Sequence, residues 1–260
     1  MSEQRMIRQG MRRRIGDEVA QAWAIAVKDV RIYYFTPPMV MMGLLMPFFM
    51  FFSFSVRRGL GPEAGMARLL ALTTFFTASS VGPVIIPMER AMRTFERLLA
   101  APVSLITILL GKMVVGIFFG MAVSLVPLVL GLVFFHIEIA NPPLLALCFL
   151  LSTTAFSTLG LLFASAPGQS VGTILMPSTL LRWPLMFISG VFVPLEEMTP
   201  WVRAVSHMSP LTYSQDLMNH ALLGHGAQSL AMDLILLPLF LVLFLIPAMK
   251  LHDWSRRLGY

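Results

Sequence analysis

Residues 88–112 read MERAMRTFERLLAAPVSLITILLGK and decide how the rest of the chain is arranged. They join two long apolar stretches and concentrate charge in a chain where charge is scarce, at Glu89, Arg90, Arg93, Glu96, Arg97 and Lys112. Leu98 and the two residues after it are spaced so that a short helix here has an apolar face. Pro102 is expected to end that helix, and Ser104 can cap the next one. The segment therefore predicts a short amphipathic helix between two apolar helices.

The composition indicates whether the protein is surrounded by water or by lipid. Of its 260 residues, 57% are hydrophobic and only 12% are charged, whereas a soluble domain carries about 25% charged residues. Too few polar side chains remain to cover a water-exposed surface, so the chain is expected to be an all-α integral membrane protein. The lone Cys148 lies in an apolar run and offers neither a disulfide framework nor a cysteine-based metal site.

The first 35 residues are predicted to form a separate cytoplasmic region. Residues 1–16 carry five arginines and predict a solvated basic tail, which meets anionic lipid rather than nucleic acid. Residues 17–35 predict an amphipathic helix in the membrane interface. Its expected apolar face holds Val19, Trp23, Ala26, Val27, Val30 and Tyr34, and the residues expected largely off that face are Asp17, Lys28, Asp29 and Arg31.

Residues 36–260 predict a transmembrane domain of six helices, because six stretches approach the roughly 20 apolar residues that a bilayer requires. The predicted spans are 37–56, 69–87, 113–135, 144–164, 171–193 and 232–249. Lysine and arginine concentrate at both termini and in loop 88–112, which predicts that these parts face the cytoplasm in a plasma or inner membrane.

Residues 191–230 are too polar to span a membrane and too apolar to be a plain loop. We expect short amphipathic helices that dip into the outer leaflet and return, since backbone at that depth must be covered by protein or water. Four residues mark this outer re-entrant segment: Pro194, Trp201, Pro210 and Tyr213.

The chain carries no pattern that predicts chemistry of its own. Gly111 and Lys112 lack the upstream glycine and the following hydroxyl of a nucleotide-binding loop. The histidines, serines and aspartate between 206 and 225 match neither the HExxH zinc pattern nor a nucleophile elbow. We therefore predict no catalytic residue, no bound metal and no cofactor on this chain.

Arg182 is the one basic residue inside a predicted span. A charge near mid-membrane costs at least ~2.5 kcal/mol unless it faces protein or water. It can act as an internal lock, bonding to carbonyls freed near Pro177 and Pro184 or to Glu196 or Glu197. It can alternatively line a pathway and attract an anionic group of a substrate.

Two stretches, 89–112 and 189–216, resemble type-2 ABC exporter permeases in the order of their residues. The resemblance implies a permease that pairs with itself or a similar subunit and moves an amphiphilic, lipid-linked or drug-like substrate outward. It also implies a separate ATPase subunit that binds ATP and magnesium and docks on a coupling helix, here the residues Glu89, Arg90, Arg93, Glu96, Arg97 and Leu98. The alternative from the residues alone is a non-transporting membrane scaffold or an intramembrane hydrolase.

Overall fold

The computed structural model describes residues 2–33, 45–49, 61–100, 103–168 and 170–257, and its regular elements in these ranges are helices. The α-helices, in chain order, are α1 (Ser2–Tyr33), α2 (Pro62–Ala91), α3 (Thr94–Ala100), α4 (Leu105–Phe134), α5 (Pro142–Ala164), α6 (Val171–Ile188), α7 (Pro200–Ser206), α8 (Pro210–Leu223) and α9 (Leu230–Arg257). A 3-10 turn, Leu195–Glu197, lies between α6 and α7.

Five of these helices, α2, α4, α5, α6 and α9, contain stretches long and apolar enough to cross a membrane. The expected all-α polytopic fold is thus confirmed, although most of the predicted span 37–56 lies outside the described residues. The helix α4 begins at Leu105, not at 113, because the Ser104 hydroxyl caps it by accepting from the Thr107 amide at 3.1 Å. Lys112 therefore lies two turns inside a helix and not in a loop.

The helix α2 lies at the centre of the bundle and is buried along most of its length. It comes close to α5 where Gly82 meets Gly160. A Cβ added at Gly82 would lie 2.5 Å from the Gly160 carbonyl oxygen, and one at Gly160 would lie 2.6 Å from the Ser79 carbonyl oxygen. Small residues at such a contact let two helix backbones pack directly, which is a main source of helix association in membranes.

The segment that follows α6 forms short helices, as the sequence indicates. The chain turns at Gly190, whose φ of +90° a side chain would disfavour, and passes through the 3-10 turn and α7 into α8. The helix α8 is buried at most of its positions, packing on α2, α5 and α9. The depth of this segment in the bilayer stays a prediction.

The packed face of α1 differs from the expected one. Val19 and Trp23 are 63% and 53% exposed, while Ile25, Ala26 and Asp29 are buried against the bundle. The buried face of α1 thus lies beside the apolar face of Val19 and Trp23, and Asp29 belongs to the buried one. Helical periodicity ranks an aspartate as a water-facing residue, but here it meets a buried lysine of α4, which makes its burial possible.

We expect Gly160→Val to destabilise the bundle by about 1–3 kcal/mol, the usual cost of overpacking a tight contact. The added side chain would meet the backbone of Ser79 and force α2 and α5 apart. Thermal unfolding of the purified protein in detergent measures the effect. Gly172→Ala is the control, since its Cβ would have only the Ser170 hydroxyl within 4 Å. Equal unfolding temperatures for the two variants would contradict the close contact.

Candidate functional site

Four charged side chains from three helices form a buried cluster at the end of α2 that leads into α3. The helix α1 supplies Lys28 and Asp29, α2 supplies Glu89, and α4 supplies Lys112. The Lys112 ammonium lies 3.1 Å from Asp29 Oδ2 and 2.6 Å from Glu89 Oε2. The Lys28 ammonium lies 2.8 Å from Asp29 Oδ1 and 2.6 Å from Glu89 Oε1. Each carboxylate therefore contacts both cations, and the ionised cluster carries no net charge.

This four-charge cluster is almost closed to solvent. The side chains of Asp29 and Glu89 have no exposed surface, that of Lys112 is 1% exposed, and that of Lys28 is 34% exposed. Charges at such sites are tolerated only when they are paired. The cluster holds α1, α2 and α4 together at one point, because a shift of any one helix would leave a buried charge without its partner.

The pKa of Lys28 shows that its two carboxylate partners outweigh its burial. Desolvation lowers this pKa, but the hydrogen bonds and charges of Asp29 and Glu89 raise it above the ordinary value of 10.5. A raised lysine pKa adds stability that is complete below the unfolded-state value and is lost only as the pH rises through the folded-state value. Lys28 therefore does not act as a switch near neutral pH.

The short helix α3 is fastened to the same end of α2. The Thr94 hydroxyl donates to the Glu89 carbonyl at 3.2 Å. Phe95 is 2% exposed and packs in an apolar cluster that includes Ile25 of α1 and Ile108 of α4. The guanidinium of Arg90 lies 5.7 Å from the Phe95 ring centroid. The inner face of α3 is thus attached to all three helices of the four-charge cluster.

Arg90 also connects α3 to a second turn of the chain. Its Nη1 donates to the Ala166 carbonyl at 2.9 Å and to the Gly168 carbonyl at 3.4 Å. These carbonyls belong to the turn between α5 and α6, so one side chain joins the end of α2, the inner face of α3 and the turn that precedes α6.

The residues predicted for coupling fall into two groups. Glu89 and Arg90 point inward and are buried, and Leu98 is half-buried against the Phe95 cluster. Arg93 and Arg97 are exposed, and Arg93 occupies the turn between α2 and α3 with a φ of 54°. The Glu96 backbone lies in α3, but its side chain lies outside the described residues.

Arg182 is buried between helices, with 2% exposure. Its Nη2 donates to the Ser79 carbonyl, and its Nη1 donates to the Ser80 hydroxyl at 3.2 Å. The Ser79 carbonyl has no helical donor, because the residue four positions on is Pro83, which lacks an N–H. Arg182 thus bonds to a carbonyl of α2 that Pro83 leaves without a helical donor. The sequence instead predicts carbonyls near Pro177 and Pro184, in the same helix as Arg182. Glu197 is exposed, and the side chain of Glu196 lies outside the described residues.

The four marker residues of the outer segment occupy different surroundings. Pro194 precedes the 3-10 turn, and Pro210 is the buried first residue of α8. Tyr213 is 2% exposed and its hydroxyl donates to the His207 carbonyl at 3.0 Å. Trp201 is 71% exposed, so it is the one of the four with a large apolar surface available to lipid or a partner.

Comparison with known proteins gives one consistent result. The sequence pattern of the family described as ABC-2 type transporter matches residues 20–223, a range that contains the four-charge cluster, α3 and Arg182. Nodulation protein J of Neorhizobium galegae is 28% identical over 191 residues, 71% of this chain and 71% of that protein. Inner membrane transport permease YadH of Escherichia coli (strain K12) is 27% identical over 166 residues, 64% of each chain.

We expect Lys112→Met to lower the stability by about 3–5 kcal/mol, the usual result of removing one partner from a buried ion pair. Adding Glu89→Gln should recover part of that loss, because charge balance returns to the four-charge cluster. Chemical unfolding in detergent of both single variants and the double variant gives the coupling energy. The control is Lys250→Met, at an exposed position of α9. If Lys112→Met unfolds like this control, the cluster does not hold the helices.

A second double-mutant cycle, again measured by unfolding, tests the role of Arg182. Arg182→Met removes the donor to the Ser79 carbonyl and should cost about 1–3 kcal/mol, the penalty for a buried acceptor left unpaired. Pro83→Ala supplies a helical N–H to the same carbonyl, so the double variant should lose less than the sum of the single losses. Additive losses in the same unfolding assay would show that Arg182 does not serve this carbonyl.

Proposed function

Because the chain belongs to the ABC-2 type transporter family, we propose that it is the membrane-spanning permease subunit of an ATP-driven exporter. In this proposal a separate ATPase subunit binds ATP and magnesium, and the permease works as a homodimer or beside a similar permease. The substrate is amphiphilic, lipid-linked or drug-like and moves outward. Family membership makes the chain a transporter subunit rather than an enzyme. Its own residues bind the ATPase subunit and transmit the movement to the membrane helices.

The observation that carries this proposal is the two-sided construction of α3. Its inner face is anchored through Phe95 and Thr94 to the helices of the four-charge cluster. Its outer side and the preceding turn present Arg97 and Arg93 to solvent. A soluble subunit with acidic groups can bind the exposed cations, while the anchored face passes the resulting displacement to α1, α2 and α4.

The mechanism that follows is a rigid-body movement of helices. ATP-driven closure of two docked ATPase subunits would draw the two copies of α3 toward each other. Since packed helices shift between discrete arrangements rather than deforming continuously, the helices fixed by the four-charge cluster would move as one unit. Arg90 would carry the same displacement to α6 through the turn at 166–168.

The orientation needed by this mechanism places both termini and α3 in the cytoplasm. We expect that Arg97→Cys, in a Cys148→Ala background, reacts with a membrane-impermeant maleimide only after the cells are opened. Glu138→Cys, an exposed position between α4 and α5, should react in intact cells. Labelling of Arg97→Cys from outside would overturn the orientation and with it the docking of a cytoplasmic ATPase.

The coupling role is tested with a charge reversal at two exposed positions. Arg93→Glu together with Arg97→Glu should leave insertion and unfolding unchanged, because both side chains are exposed. It should weaken binding of the ATPase subunit that copurifies with the unaltered chain and reduce permease-stimulated ATP hydrolysis in lipid nanodiscs. Single rim charges change affinity modestly, so a loss of about tenfold is expected from the pair.

Glu138→Lys is the matched control, since it reverses an exposed charge at the opposite end of α4. Normal ATP hydrolysis by the double charge-reversal variant would reject α3 as the docking element. The Glu96→Ala and Arg97→Ala pair provides a milder version, for which we expect partial loss of stimulation. Failure of any ATPase subunit to copurify with the unaltered chain would contradict the proposed function itself.

A further inference from the structure

A second cluster of titratable side chains lies at the other end of the bundle. Asp216 and His220 belong to α8, and Asp233 lies in the first turn of α9. Asp216 shares a cavity with Arg68 of α2, and nearly six helical turns, on the order of 30 Å, separate Arg68 from Glu89. The proposed coupling mechanism makes no use of this cluster.

The three side chains converge on one small volume. Each offers one ligand atom, and these atoms lie within 4.8 Å of one another. His220 Nε2 lies 4.0 Å from Asp216 Oδ2 and 3.8 Å from Asp233 Oδ2. The Gln228 carbonyl oxygen lies 3.0 Å from the same nitrogen. Two carboxylates, an imidazole and a backbone carbonyl therefore surround a common point.

Of the three side chains, Asp233 is the one whose buried carboxylate has no hydrogen-bond donor in the part of the chain that the structure describes. Its side chain is completely buried, and neither carboxylate oxygen accepts a hydrogen bond from any described residue. Asp216, by contrast, accepts from the Ala227 and Gln228 amides, each at 2.7 Å. A buried carboxylate without a donor is strongly unfavourable. The arrangement calls for a cation between the two aspartates.

The loop between α8 and α9 is shaped to approach this point closely. Gly224 begins it with a φ of +80°. A Cβ at Gly226 would lie 2.5 Å from His220 Nε2 and 2.8 Å from Asp216 Oδ2. Only glycine at 226 lets the backbone pass against both ligand atoms, and this passage brings the Gln228 carbonyl to the site.

We propose that Asp216, His220 and Asp233 bind a divalent cation of the zinc class, with the Gln228 carbonyl as a further ligand. Imidazole together with carboxylate oxygens suits zinc better than magnesium or calcium, which favour oxygen alone. Ligands bound at about 2.1 Å in a tetrahedral site lie about 3.4 Å apart. The separations of 3.8 and 4.0 Å thus need to contract by about half an ångström.

Metal binding fixes the protonation of His220. Its Nε2 turns its lone pair to the cation, its ring proton resides on Nδ1, and the Gln228 carbonyl turns to the cation as well. The cation neutralises the two aspartates and fastens α8, the loop 224–229 and the start of α9 to one another. The site has a structural role and takes no part in ATP hydrolysis.

The test uses zinc alone and the full chain, purified in detergent and stripped with a chelator. Competition with a chromophoric chelator should show one tightly bound zinc ion per chain. Asp233→Asn and His220→Ala should each weaken it at least about tenfold, since even an outer-shell change weakens zinc sites by 10–100-fold. His225→Ala is the matched control, because His225 is an exposed imidazole of the same loop.

Two results would overturn the proposal. In one, the unaltered chain takes up no zinc, and the two aspartates share a proton instead. In the other, Asp233→Asn binds zinc as tightly as the unaltered chain, which would place the ion elsewhere. Thermal unfolding of the unaltered chain decides the matter if the variants fail to fold. Zinc should raise its unfolding temperature with saturation at one equivalent, and an unchanged temperature would contradict the site.

Discussion

The pairing of two lysines with two carboxylates inside an apolar bundle is the constraint on which the arrangement of this protein depends. Asp29, Glu89 and Lys112 are almost without exposed surface, so none of them can remain ionised unless the others stay in place. The requirement fixes α1 against α2 and α4, although α1 is not among the described helices that are long and apolar enough to cross a membrane. It also fixes the base from which α3 projects. The short helix α3 and the membrane helices are in this way parts of one mechanical unit.

Two other buried cations of the bundle are paired with acceptors in a similar way. Arg182 satisfies a carbonyl that Pro83 leaves without a helical donor, and Arg90 satisfies two carbonyls of the turn before α6. In each case a cation of one helix meets a backbone acceptor of another element. Asp233 is a buried carboxylate that lacks such a partner among the described residues, and for this reason a bound cation is inferred there.

The sequence predicts the elements well, because their signals are local. Apolar length locates the membrane helices, and Ser104 marks the start of α4 through its own side chain. The partners of the buried charges could not be predicted in this way, because they are distant in the sequence. Lys28 meets Glu89 61 positions away, and Lys112 meets Asp29 83 positions away, so helical periodicity gave no sign that Asp29 faces the bundle. Asp216 and His220 share a helix, but Asp233 comes from the next one, and no zinc motif of fixed spacing could reveal the three together.

Hydrogen–deuterium exchange of the full chain in nanodiscs tests the central claim, that the four-charge cluster joins α1, α2 and α4 into one unit. Asp29→Asn, compared with the unaltered chain, removes one charge of the cluster and little volume. We expect faster exchange in residues 20–33, 84–100 and 105–115 together, while residues 210–223 keep their protection. Faster exchange confined to residues 20–33, with 84–100 and 105–115 unchanged, would contradict it, because α1 would then be an attachment and not a member of the unit.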